Sequence, residues 1–239
     1  MMKLNPGSIR FVIPSRGRHQ SIANESLRLF PQATLFVHES EAPNYRQHCP
    51  KSHIETHAIT TGIGAIRQQM FRQFDDECIV NVDDDLQYVA SYTARALRKL
   101  DPPTIEALCY NAAELAYQSG TCYFGFNLYA SPNWFKPTNP FHLKHPGFQV
   151  FGIIGREIEF DPRLKVKGDV DIYLQAFTKR HFVIIDERIH AHAKAGTGEA
   201  GGNTGGNRGF DGADSKANSL RIMSQKWGAG VKDMVGMGY

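Results

Sequence analysis

The chain has 239 residues, 41% of them hydrophobic and 21% charged, enough apolar material for one large globular domain with a cleft. A formal charge of +3 is compatible with a polyanionic partner without requiring one. No apolar stretch reaches membrane-spanning length and the N-terminus has no apolar leader core, so neither secretion nor insertion is expected and a cytoplasmic location is.

In chain order, residues 9–13 form a short apolar strand ended by Pro14-Ser15-Arg16-Gly17-Arg18, and Ile22, Leu27 and Leu29 follow with helical spacing. Residues 33–38 and 53–59 give two further strands. Gly62-Ile63-Gly64 then opens a helix over residues 65–74, whose Ile66, Met70 and Phe74 share a face. The glycines lack both the dinucleotide-binding spacing and a phosphate-loop lysine, which reduces them to a turn into a helix. Strand 78–82 runs straight into Asp83-Asp84-Asp85. Helices are predicted over 92–100 and, after Asp101-Pro102-Pro103, over 104–117.

Beyond Gly120 the texture changes. Strands rich in aromatic and β-branched residues cover 121–129 and 147–154, separated by a Pro, Asn and aromatic loop. A helix over 169–180, a core strand over 182–186, seven glycines between 196 and 209, a helix over 211–227 and a loose tail over 228–239 complete the chain. Strands alternating with helices indicate an α/β fold: a mostly parallel central sheet with helices on both faces, followed by an α+β half. We expect one domain, with a nucleotide half over 1–120 and an acceptor and lid half over 121–227. Cys49, Cys78, Cys109 and Cys122 lack metal-site spacing, and Cys78 and Cys122 lie in apolar runs, so free buried thiols are expected.

The chemistry gathers at strand ends, where open α/β sheets bind ligands. In extended chain Asp83 and Asp85 point to one side and Asp84 to the other. Two carboxylates held together repel and lose solvation, and a hard cation such as Mg²⁺ or Mn²⁺ shared with phosphates offsets both; a solvated acidic turn is the plain alternative. Arg16, Arg18 and Arg67 stand where a guanidinium meets a base or diphosphate. Asp169, with Asp171 second, begins a helix and suits a general base, although acids there also serve the helix dipole. His190 and His192 are two apart and face one way, so either offers a nitrogen to the same cation. Gly202, Asn203 and Arg208 belong to a glycine-rich segment suited to close over a diphosphate. Trp134, Lys136 and Lys144 in the aromatic and basic loop are the candidates for contacting a nucleic acid.

Taken in order, Phe11-Val12-Ile13-Pro14-Ser15-Arg16-Gly17-Arg18, Gly62-Ile63-Gly64-Ala65-Ile66-Arg67, Val82-Asp83-Asp84-Asp85 and Gly168-Asp169-Val170-Asp171 resemble a GT-A glycosyltransferase (a Rossmann-like fold) over most of the chain. The resemblance implies a nucleotide against Pro14, Ser15 and the following turn. It implies the ribose at Asp83 beside Asp84, a metal at Asp85, and an inverting base at Asp169. Gly168 stands where the family carries Glu, which leaves Asp169 against Asp171 open. The Ile13-Pro14-Ser15-Arg16-Gly17-Arg18 opening and Gly201-Gly202-Asn203 are further similar to the phage TET-associated glycosyltransferases that decorate 5-hydroxymethylpyrimidines in DNA. That implies a hydroxymethyl oxygen attacking a nucleotide sugar, UDP-glucose first, with the base flipped out of a duplex. Two other readings stand beside it: a nucleotidyltransferase acting on sugar phosphates, whose glycine-rich signature should follow the first strand and does not, and a non-catalytic nucleic-acid-binding module, which leaves Asp83, Asp85 and Asp169 without a task.

Overall fold

A computed structural model describes residues 4–93, 96–127, 138–143, 147, 149–193 and 213–231. The first half alternates as its periodicity dictates: β1 (Ile9–Ser15), α1 (Ser26–Leu29), β2 (Thr34–His38), α2 (Ala42–His48), β3 (Ile54–His57), α3 (Ile63–Gln73) and β4 (Cys78–Val82). Then come β5 (Leu86–Thr93), β6 (Ala96–Lys99), α4 (Pro102–Ser119), β7 (Tyr123–Asn127), β8 (Phe141–His142), β9 (Val150–Ile154), α5 (Gly168–Arg180), β10 (Ile184–Ala193) and α6 (Ala213–Trp227).

Ten strands form one mixed sheet in the order β3-β2-β1-β4-β9-β7-β10-β5-β6, with β8 beside β10. The β3-β2-β1-β4 block is parallel. β9 runs antiparallel to both β4 and β7, and β10 is parallel to β7 but antiparallel to β5. The α/β fold with helices on both faces is therefore as expected, and its antiparallel pairs come after the β3-β2-β1-β4 block, from β4–β9 through to β5–β6.

Alternation along the strands builds the two cores. Phe11, Ile13, Leu35, Val37, Val80 and Val82 turn to one face and pack with Leu27, Tyr45, Ile105 and Cys109 under α1, α2 and α4. Val12, Phe36, Ile79, Tyr123, Phe151 and Ile153 turn to the other and pack with Ile66, Met70, Phe71, Ile172 and Tyr173 under α3 and α5. A third cluster of Leu164, Val170, Ile222, Met223 and Val231 seats α6 on α5. All four cysteines are buried and free, as expected.

The helix expected over 92–100 is not there. Its Ala, Leu, Arg and Lys residues favour a helix, but residues 86–99 fold as the β5–β6 hairpin at the sheet edge. β5 pairs along β10 from Ser91 to Leu86 opposite Ile189 to Ala193, and burying Leu86 and Val89 in that ladder outweighs local propensity of a few tenths of a kcal/mol per residue. The same pairing carries β10 to Ala193, well past the expected end at 186. α4 follows its signals: the Asp101 carboxylate accepts from Thr104 N–H at 2.9 Å, Pro102 and Pro103 fill the first turn, and left-handed Gly120 closes it.

Glycine is required where α3 begins. Gly62 caps the helix at φ +128°, and a Cβ on Gly64 would lie 2.6 Å from the Leu164 carbonyl oxygen. The starts of α3 and α5 are thereby pressed together, Gly168 lying about a van der Waals contact from Gly64. Gly64→Ala gains up to about 1 kcal/mol of helix propensity but meets backbone that has no room to give, at about 1–3 kcal/mol. We expect a net loss of stability by urea unfolding; a stabilised variant would show the contact to be loose.

His57, at the end of β3, is buried against Phe36, and its Nδ1 accepts from Ile59 N–H at 3.1 Å. Burial, then the charges of His38 and Arg16, pull its pKa down to about 4. A histidine that protonates more readily unfolded than folded withdraws stability as pH falls from about 6.5 through the folded value. His57→Gln should therefore lose less stability than wild type between pH 7 and 4. Parallel pH profiles of the two urea midpoints would remove that role.

Candidate active site

Four segments meet at the carboxyl edge of the parallel block: the turn after β1, the acidic turn after β4, α3, and the first turn of α5. β4 stays paired through Asp83, whose N–H donates to Gln149 O at 2.8 Å, and the chain then turns at Asp84 and Asp85 before entering β5. Ser26 on α1 brackets this turn. Its Oγ donates to Asp83 O at 2.5 Å and accepts from Leu86 N–H at 2.9 Å.

The turn changes which carboxylates share a side. Asp83 accepts from Arg67 Nη2 at 2.8 Å, whereas Asp84 and Asp85 both face Arg18, at 3.2 and 3.6 Å. The strict alternation expected from extended chain fails because strand geometry stops at Asp83. Arg67 is 8% exposed. Its Nε donates to Asn81 Oδ1 at 3.1 Å, and its guanidinium carbon lies 5.6 Å from the Phe151 ring centre. Asn81 is a wholly buried polar residue inside an apolar strand, so Arg67 and Asn81 satisfy one another.

The β1 turn is held from below by Tyr45 on α2. Its hydroxyl lies 2.7 Å from Ser15 Oγ and accepts from Arg18 N–H at 3.1 Å, while Ser15 Oγ donates to Asp84 Oδ2 at 2.8 Å. Glu41 accepts from Gly17 N–H at 2.7 Å, and Glu25 meets the far side of Arg18 at 3.5 Å. Arg16 lies farther out, 3.9 Å from Glu41, and Pro14 continues β1 opposite Phe36.

Loss of water raises all three carboxyls. Burial pushes Asp83 up to about 7, against the pull of Arg67. Asp84 is pushed to about 6, opposed chiefly by Arg18, and Asp85 moves in the same direction. Two arginines therefore offset the desolvation of three acids only in part, leaving a site whose full charge calls for further positive charge.

Asp169 and Asp171 part company. On a helix they point about 200° apart. Asp169, in the first turn of α5, takes a bond from Val170 N–H at 2.9 Å, and its charge adds to those that raise the pKa values of Asp83 and Tyr123. Asp171 is 0% exposed and accepts three bonds: Trp227 Nε1, Lys226 Nζ and Gln175 Nε2 donate to it at 2.7, 2.8 and 2.8 Å. Its surroundings are those of a tie between α5 and α6.

β10 brings both histidines toward the acidic turn, Ala193 pairing opposite Leu86 and His192 opposite Tyr88. Their rings share a face, 5.7 Å apart, and His192 stacks on Tyr88 at 4.7 Å. His190 is 1% exposed; its Nδ1 lies 3.1 Å from Asn127 O, and its Nε2 has no hydrogen-bond partner among the described residues. Burial lowers its pKa, which keeps the ring neutral and its nitrogen available as a donor of electrons.

Trp134, Lys136, Lys144, Gly202, Asn203 and Arg208 lie outside the described residues. Sequence reasoning missed Tyr45, Ser26 and Asn81. Asn81 was legible as the polar member of an otherwise apolar buried strand, whereas Tyr45 and Ser26 act across sequence gaps that carry no local signal.

The described residues hold no helix long and apolar enough to cross a membrane. No curated protein matches the chain. Among solved structures, TarS 1–349 of S. aureus in complex with UDP-GlcNAc is 12% identical with a TM-score of 0.54, over 91% of this chain and 66% of that one. Glucosyl-3-phosphoglycerate synthase from Mycobacterium tuberculosis, in complex with Mg²⁺ and uridine-diphosphate, is 8% identical with a TM-score of 0.53, over 94% and 84%. The same synthase with Mn²⁺, uridine-diphosphate and phosphoglyceric acid gives 9% and 0.51 over the same shares. At these identities the likeness carries the fold alone, which is GT-A. The sequence model of the TET-Associated Glycosyltransferase family matches residues 9–202, most of the chain and all four segments of the site, and the protein belongs to that family of glycosyltransferases.

Proposed function

We propose that the protein transfers a sugar from a nucleotide donor, a UDP-sugar first, to the hydroxymethyl oxygen of 5-hydroxymethylpyrimidine in DNA, with inversion at the anomeric carbon. The observation that carries the donor half is the edge of the sheet itself: Asp83 clamped by Arg67, Asp84 and Asp85 gathered by Arg18 and Ser15, and Asp169 adding to the charge that raises Asp83. The DNA acceptor rests on the family, and the UDP donor draws support from the ligands of the structurally similar proteins.

In this reading Pro14, Ser15, Arg16 and Arg18 receive the nucleotide, Asp83 with Asp84 holds the ribose, and Arg67 aims Asp83 and opposes the burial that favours its neutral form. Asp169 takes the proton of the acceptor hydroxyl as its oxygen attacks; Asp171, accepting from three donors, holds the helix that presents Asp169. Trp134, Lys136 and Lys144 contact the acceptor, and Gly202, Asn203 and Arg208 close over the diphosphate.

The donor atoms present suit a hard divalent cation in part. Asp85 offers carboxylate oxygen with Arg18 no nearer than 3.6 Å, and the unpartnered His190 Nε2 offers nitrogen, with His192 next to it on the strand face. Among the described residues no three acidic, histidine or cysteine side chains form a complete cation cage. Asp85 together with donor phosphates would hold Mg²⁺ or Mn²⁺, without Asp83, which is turned to Arg67, and the ion would supply Lewis-acid stabilisation of the departing diphosphate.

A UDP-sugar should raise the melting temperature only with Mn²⁺ or Mg²⁺ present, and Asp85→Ala should abolish that rise while melting near wild type without ligand. Chelator-resistant stabilisation of Asp85→Ala equal to wild type would eliminate the metal role. On oligonucleotides bearing 5-hydroxymethylcytosine, Asp169→Asn should lower kcat by about 10²–10⁴ with donor KM within a few-fold. A rate near wild type would take the base away from Asp169.

A further inference from the structure

Past the acidic turn, β5 and β10 present a sheet face lined by rings. The two strands pair antiparallel, so partners across the ladder share a side: His192 stands opposite Tyr88 and His190 opposite Ala90. Val89, Ile189 and Ala191 turn the other way, into the core beneath α1 and α4. On the ring-lined face His192 and Tyr88 are stacked, their centres 4.7 Å apart and their planes 20° from parallel. The Lys99 ammonium lies 5.0 Å from the Tyr88 ring centre, so Tyr88 is held by two neighbours, and His190 stands edge-on to it at 6.1 Å.

His190 is satisfied at one nitrogen and not at the other. Its Nδ1 lies 3.1 Å from the Asn127 carbonyl oxygen, which can only accept, so Nδ1 carries the ring proton. Burial keeps the ring neutral, and Nε2 is then a bare lone pair. That nitrogen is buried and has no hydrogen-bond partner among the described residues. No three acidic, histidine or cysteine side chains gather around it there either. A buried acceptor without a donor is costly, and this one suits a ligand that brings a hydrogen. The place is close to the chemistry: Leu86 follows the acidic turn directly, and Tyr88 is two residues on, roughly 7 Å along the strand. Tyr88 and His192 are only half-buried, which leaves their stack within reach of a second flat ring.

We propose that His190 reads the base of the acceptor: its Nε2 accepts from the exocyclic amino group of a flipped 5-hydroxymethylcytosine laid beside the His192 and Tyr88 rings, and so selects that base over 5-hydroxymethyluracil. This rests on the DNA-acceptor reading above. Flipped bases are recognised by hydrogen bonds to their edge and by stacking on flat side chains. The uracil base turns an oxo group, itself an acceptor, toward the same lone pair. Its ring N–H reaches Nε2 only by an in-plane rotation that also carries the hydroxymethyl oxygen away from the donor sugar.

The test measures the affinity of wild type and His190→Phe for fluorescent single-stranded oligonucleotides that differ only in carrying one 5-hydroxymethylcytosine or one 5-hydroxymethyluracil. Thermal shift by UDP with Mn²⁺ reports on the donor side. Wild type should favour the cytosine base by about 10–10²-fold. His190→Phe keeps a ring in the space and removes the lone pair; it should bring the two affinities within a few-fold of each other and leave the UDP shift unchanged. Because that variant also strips the Asn127 carbonyl of its donor, the wild-type ratio stands as a test that needs no substitution. Equal wild-type affinities overturn the proposal and leave the DNA acceptor in place, whereas failure to bind either oligonucleotide removes the DNA acceptor and the proposal with it. A preference that persists in folded His190→Phe overturns the role of His190 alone. Loss of the UDP shift in that variant gives Nε2 to the cation and overturns it too.

Discussion

Three adjacent carboxylates at the end of a buried strand are the constraint around which the catalytic edge is arranged. Burial raises the pKa values of Asp83, Asp84 and Asp85, and among the described residues two guanidinium groups, of Arg67 and Arg18, stand against them. Arg67 needs α3 to begin where it does, and Arg18 needs the β1 turn to fold back over the acidic one. Tyr45, Ser15 and Ser26 fix those backbones by hydrogen bonds from α2, β1 and α1. The site is thus supported from three elements whose sequence positions are far apart. The remaining charge deficit is what a cation and an orienting nucleotide are suited to meet.

The glycines at α3 belong to the same constraint. To bring Arg67 under Asp83, α3 must start close against the strap that precedes α5, and only Gly64 allows the backbone contact with Leu164. One close approach therefore sets two relations at once: the distance of Arg67 from the acidic turn, and the placement of the α5 start, with Asp169, beside it. A side chain at residue 64 would push the start of α3 away from the Asp161 and Leu164 carbonyls.

Much of this was legible along the chain. Strand and helix periods place the β1 to β4 block, α4 carries its capping residues in plain sight, and Asp83 to Asp85 at a strand end mark the ligand edge. What local sequence does not carry is pairing between distant strands. The stretch expected as a helix over 92–100 has helix-forming composition, and its described residues pair as part of β5 and β6 because β10 offers β5 a ladder, information held a hundred residues away. The grouping of the acidic triplet was misread for a related reason: period-two alternation applies only while the strand is paired, and pairing ends at Asp83. Asn81 is the reverse case: a polar residue inside an apolar buried strand marks a need for a partner, here Arg67, without marking which.

Asp169 and Asp171 show how one helix turn can hold two carboxylates for opposite purposes. Separated by two residues, they point to different neighbours, so no single ligand can engage both. Asp171 faces α6 and, wholly buried, accepts from an indole, an ammonium and an amide, so its charge is engaged in the packing of the two helices. Its partners are spread over a turn of α5 and the last residues of α6, so the bonds resist rotation of α5 about its axis as well as its withdrawal from the sheet. Asp169 inherits that fixity without sharing those partners. Two acids two residues apart on one helix thus have different surroundings, one tied to α6 and the other in the first turn of α5 apart from those partners.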